Sequence, residues 1–201
     1  MNLIDRAKNM IVSPATEWNE ISSETPDTGK IITGFVLPLA GAAAVAAFIG
    51  YSFLWVGFFG SPTTWGLYFA ITSLLQAIIS VFVGAAVVDA LAPSFDSQKN
   101  MGRSVQLIAY AYTPVWIGGL LAIYPPIAII GMIFGLYMFY LLYLGIPKLK
   151  NTPVDKQIGY FVVSIVVMLV VYFIIGMILS KLLLPAMGLS YGIPGLNLGG
   201  Y

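Results

Sequence analysis

From Ile31 to Val88 the chain runs 58 residues without an Asp, Glu, Lys or Arg; a second uncharged run of 44 residues separates Arg103 from Lys148, and a third of 24 separates Lys156 from Lys181. A helix crosses a hydrocarbon layer of about 30 Å with about 20 residues, because each adds about 1.5 Å. The three runs therefore hold two, two and one spanning helices. Breakers fall where that arithmetic needs turns: Gly60, Ser61 and Pro62 divide the first run, and Tyr124, Pro125 and Pro126 the second. The expected helices cover residues 31–55, 65–90, 104–123, 127–146 and 158–181. Charged residues make up only 8% of the chain and hydrophobic ones 59%, against roughly 25% charged in a soluble domain. The fold class is all-α: a polytopic membrane bundle of five transmembrane helices.

The basic residues are placed unevenly. Arg6, Lys8 and Lys30 precede the first span, Lys99 and Arg103 lie in the second connection, and Lys148, Lys150 and Lys156 in the fourth, while Lys181 is alone at the opposite end. The positive-inside rule then puts the N-terminus in the cytoplasm and the C-terminus on the far side, periplasmic or extracellular. The chain divides into a cytoplasmic interfacial segment (1–30), a five-helix membrane domain (31–184) and a Gly-rich tail (185–201). Insertion into a cell inner membrane is expected to rely on the first spanning helix.

Within the first segment Leu3, Ile4, Ala7, Met10 and Ile11 recur at helical spacing between polar residues, which predicts a short amphipathic helix in the interface. Ser13 reads as the N-cap of a second helix with Pro14 in its first turn. On that helix Trp18 is expected at headgroup depth, and Glu17, Glu20 and Glu24 on a solvated face. A docking surface made of Glu17, Trp18 and Glu20 is the functional alternative to plain solvation.

The inventory excludes several chemistries. With no Cys and no His there are no disulfides, no imidazole base and no Cys/His metal site. The 9 basic and 8 acidic residues nearly cancel, so no nucleic-acid partner is expected. Asp89 and Asp96 lie in a polar loop that lacks the dense oxygen ligands of a calcium loop. Intramembrane proteolysis lacks its residues, and ion coupling normally shows an ionisable group near mid-membrane, whereas every formal charge here sits at a helix end. No cofactor is expected and the chain is read as a non-enzyme.

The candidate residues inside the bilayer are softer. Pro38 and Pro114 each remove a backbone donor and should kink their helices, and the Thr113 hydroxyl can return to a freed carbonyl. Tyr110 and Tyr112, two positions apart, point about 200° away from each other, so one is expected to reach Gln76 or Ser80 and the other to meet headgroups. Pro38, Gln76, Ser80, Tyr110, Thr113 and Pro114 thus form a candidate kink and cavity set. Asp89 is expected to pair with Arg103. Tyr137, Tyr140 and Tyr143 make a stripe suited to an interface belt or to packing. Gly131 and Gly135 have GxxxG spacing, which serves packing inside the bundle, with a homo-oligomer left open.

"SPATEW" before the first span, five hydrophobic helices with short outer connections, and "AYAYTPVW" in the third helix together resemble the Yip1 family of five-span membrane proteins. The resemblance implies a helical membrane protein with a cytoplasmic N-terminus and, for eukaryotic members, trafficking roles with Rab-type GTPases. Only about 30 residues precede the first span here, and the acidic aromatic motif that eukaryotic members carry there is absent, as in the short prokaryotic branch. Two functions follow as expectations. One is a non-enzymatic scaffold or organiser whose partners are the lipid bilayer and another membrane protein. The other is a facilitative path for a small solute through a cavity between kinked helices, which requires a continuous polar route to mid-membrane.

Overall fold

The computed structural model describes residues 2–54 and 61–189. Among them there is no strand, and five helices are long and apolar enough to cross a membrane. Two short helices come first, α1 (Leu3–Val12) and α2 (Pro14–Ser23). The spans follow as α3 (Thr28–Leu54), α4 (Pro62–Phe95), α5 (Met101–Ile123), α6 (Pro125–Lys150) and α7 (Val154–Ala186). The count is that expected from the uncharged runs, but most helix ends lie further out. Gly60 and the tail from residue 190 onward are outside the described residues. Ser61 and Pro62 open α4 as its N-cap and first residue.

Local chemistry sets several starts. The Asn2 side chain accepts from the Asp5 N–H at 2.8 Å, Asp27 from the Lys30 N–H at 3.0 Å, and Asn100 from the Arg103 N–H at 3.0 Å, each satisfying a donor that a helix start leaves free. The bond from the Lys30 N–H also holds the exposed Asp27 carboxyl below its ordinary value. Ser13 occupies the N-cap of α2, yet its side chain makes no cap bond.

Pro38, Pro114 and Pro147 lie inside spans, and the backbone accommodates each of them differently. Pro114 leaves the Tyr110 carbonyl without its usual donor, and the Thr113 hydroxyl donates to it at 2.6 Å. The helix breaks there, Met101–Ala111 before Tyr112 and Thr113–Gly119 after it. Pro147 lies inside α6, where the predicted helix stops at 146; the Tyr143 carbonyl it frees accepts from Gln157 Nε2 of α7 at 3.0 Å. Ahead of Pro38 the backbone widens into a π-helical turn, Ile32–Val36, a common accommodation in a strained helix.

The break in α5 decides the packing. Its first half lies against α4 and α6; its second half leaves α4 and lies against α3 and α6. Gly118 and Gly131 make that last contact possible: a Cβ on Gly131 would stand 2.6 Å from the Gly118 carbonyl oxygen. Gly131 thus serves packing within the chain, while Gly135 of the same motif has open space beside it. The largest fully buried aromatic and aliphatic side chains, Trp18, Tyr160, Met10, Ile21, Leu107, Ile108, Leu141, Leu142 and Ile146, all belong to the end that carries α1 and α2, called the cap end below. Apolar residues such as Ile129, Ile133, Val166, Val170 and Phe173 are exposed along α6 and α7, as surfaces facing lipid require.

Pro114→Ala is expected to restore the backbone bond to Tyr110 and remove a bend of about 20° or more, drawing the far half of α5 back toward α4. Pulsed electron resonance between labels at Ser73 and Leu120 would read this as a shortened distance, and the chain has no cysteine to interfere.

Candidate functional site

At the cap end two helices that the sequence places in the interface are built into the bundle. Arg6 of α1 is buried; its Nη1 donates to Glu17 Oε1 at 2.7 Å, its Nη2 pairs with Glu24, and its guanidinium lies 5.3 Å from the Tyr110 ring centroid. Glu17 is 1% exposed and Trp18 0%, so neither faces water or headgroups. This corrects the expected solvated face: only Glu20 of the proposed docking trio is exposed. Trp18 packs on Gly145 of α6, where a Cβ would come within 2.8 Å of the indole. Tyr137 Oη donates to the Ile11 carbonyl at 3.0 Å, so the tyrosine stripe in part fastens α1.

The expected Asp89–Arg103 pair does not form. Asp89 Oδ1 accepts from Lys150 Nζ at 2.9 Å, from the Asn100 N–H at 2.7 Å and from Ser104 Oγ at 3.0 Å. Lys150 is 0% exposed and its Nζ also donates to Ser104 Oγ at 2.7 Å. It reaches this position because α6 continues through Pro147 to Lys150 and ends on Asn151 in the left-handed region, φ 50°. Arg103 turns instead to the C-terminus of α2, donating to the Ile21 and Ser22 carbonyls at 3.2 and 3.0 Å, where a cation is favoured by the helix dipole. Gln106, which no sequence signal marked out, accepts from Arg103 Nη1 at 2.9 Å.

Two pockets lie along α5. One, of about 350 Å³, opens at the cap end and includes Arg6, Glu24, Lys30, Gln106 and Tyr110. The other, of about 290 Å³, lies where the second half of α5 departs from α4, and is lined by Thr72, Gln76, Ser80, Tyr112, Trp116 and Tyr172 among others. The tyrosines do separate, but it is Tyr112 and not Tyr110 that faces Gln76 and Ser80. Thr113 is buried in its own helix, and neither Pro38 nor Pro114 lines the pocket. Between the two pockets Phe35 meets Tyr110 edge-on at 4.8 Å and Trp116 at 6.3 Å. A groove between α4 and α7 shares Gln76 and Tyr172 with the inner pocket and runs past Gly176 to Lys181.

Five spans, a buried ionic cap and a pocket beside a broken helix define a polytopic α-helical integral membrane protein. Residues 8–180 match the Yip1 domain, and the chain belongs to the Yip1 family. It is 30% identical over 156 residues to the inner membrane protein YohC of Escherichia coli strain K12, covering 73% of this chain and 78% of that protein, and it matches the YohC of Escherichia coli strain CFT073 to the same extent. No solved structure matches the chain.

Proposed function

We propose that the protein is a non-enzymatic scaffold or organiser of the inner membrane, with the cap end in the cytoplasm and the far end periplasmic or extracellular. What carries this reading is the cap itself. Arg6, Glu17 and Glu24 tie α1 to α2, Arg103 ties α2 to α5, and Tyr137 ties α1 to α6, so the helices are held in one place before any partner arrives. A surface that is already ordered loses less entropy on binding. Its outer side offers exposed Ile4 and Val12 to the bilayer interface and exposed Glu20 to a neighbouring membrane protein. The orientation rests on the eight basic residues at this end, and the inner-membrane setting on the likeness to YohC.

The alternative, facilitated passage of a small solute, is supported by the inner pocket. Against it, the Phe35 ring touches both Tyr110, which lines the cap-end pocket, and Trp116, which lines the inner one, so apolar rings rather than polar groups join the two. A photo-crosslinker in place of Glu20 in native membranes is expected to give a discrete adduct, with a second copy or with another membrane protein, and reconstituted liposomes are expected to pass small neutral solutes no faster than empty ones. No adduct together with accelerated flux would overturn the scaffold reading.

A further inference from the structure

The inner pocket is built in a way that packing alone does not require. Ser80 is 5% exposed and its hydroxyl has no partner among the described residues, and the Thr72 hydroxyl is in the same state. The usual remedy on a helix is a bond to a carbonyl one turn back, as Ser73 makes to Ala70 at 3.0 Å. Ser80 and Thr72 do without it, and both line the pocket. A buried donor without an acceptor is costly. Ser52 and Ser164 also carry buried hydroxyls without a partner among the described residues, but Ser80 and Thr72 are the two that line this pocket, where an oxygen acceptor from outside the chain could meet them.

Three further observations narrow what brings that acceptor. No Asp, Glu, Lys or Arg lines the pocket, so a charged occupant would stand unpaired in a low-dielectric setting. Four of the lining residues are aromatic, Phe69, Tyr112, Trp116 and Tyr172, and such walls favour a flat apolar ring. The groove between α4 and α7 supplies a mouth on the lipid-facing side: Gly176 leaves it open, and Gln76 crosses it with a bond of 3.3 Å to the Tyr172 carbonyl, long enough to yield. We propose that this pocket binds an uncharged, lipid-soluble ring compound bearing carbonyl oxygens, of the quinone type. It enters from the bilayer past Gly176 and accepts hydrogen bonds from Ser80 and Thr72.

The test titrates the purified full-length protein in nanodiscs with a short-chain benzoquinone while following tryptophan fluorescence, which a bound quinone quenches. Saturable quenching is expected, with the saturating part lost in Trp116→Phe. Ser80→Ala should weaken apparent affinity about tenfold, the worth of a hydrogen bond made in a dry pocket, and Gly176→Leu should abolish saturation by filling the mouth. Should Gly176→Leu fail to fold, Ser80→Ala and Trp116→Phe carry the test. Quenching that rises linearly without saturation would overturn the proposal and leave water as the occupant. So would saturation that survives all three substitutions, because the quinone would then be bound elsewhere.

Discussion

Lys150→Met is expected to lower the unfolding free energy in detergent by about 3 to 5 kcal/mol, the usual cost of leaving one partner of a buried ion pair alone. The methionine has nearly the length of the lysine, so packing changes little. What changes is that Asp89, buried and 2.9 Å from Nζ, keeps its charge without a counter-ion. The acid also receives the Asn100 N–H and the Ser104 hydroxyl, so the effect reaches the loop that joins α4 to α5. Adding Asp89→Asn should recover more than half of the loss, since the amide oxygen still accepts from Asn100 and no charge is stranded. A loss below about 1 kcal/mol for Lys150→Met, the range of a solvated pair, would mean that this junction is wet.

Arg6→Ala should have a comparable effect, confined to one end. It strands Glu17, which has no exposure to speak of, releases Glu24 and takes the cation from the Tyr110 ring. About 3 to 5 kcal/mol is again at stake, but the spans keep their own contacts, so the expected result is local unfolding of α1 and α2 rather than loss of the bundle. Hydrogen exchange over residues 3–23 would rise sharply while α4 and α7 stay protected. Arg6→Lys should restore only part of the protection, because an ammonium cannot fork between Glu17 and Glu24 as the guanidinium does.

Both effects concern residues whose sequence context points elsewhere. The five spans are legible because lipid imposes a length and a polarity that uncharged runs display directly. Glu17 and Trp18 are misplaced by the same logic: on a ten-residue amphipathic helix an acid and an indole read as water-facing and interface-facing, and nothing local announces that Arg6, eleven residues earlier, will be folded in beside them. Lys150 is hidden by Pro147, which looks like a helix end until a side chain from α7 takes the freed carbonyl. Tyr110 and Tyr112 show both limits at once. Their divergence follows from helical geometry, but which of them meets Gln76 depends on how α5 is rotated against α4, a tertiary choice. The Thr113–Pro114 repair, by contrast, is local and readable, since the donor and the freed carbonyl are three residues apart.

The cap end is an ordered unit, and the groove that joins the inner pocket leads past Gly176 toward Lys181 and the far end, away from the cap. Single cysteines in place of Met10, Glu20 and Ser80, in a chain that has none of its own, test this in sealed vesicles of each orientation. A membrane-impermeant maleimide added on the cap side is expected to label position 20 and to spare 10 and 80, and a lipid-soluble maleimide is expected to label 80. Labelling of position 80 by the impermeant reagent from the cap side would contradict it, for it would mean an open route past Phe35, Tyr110 and Trp116.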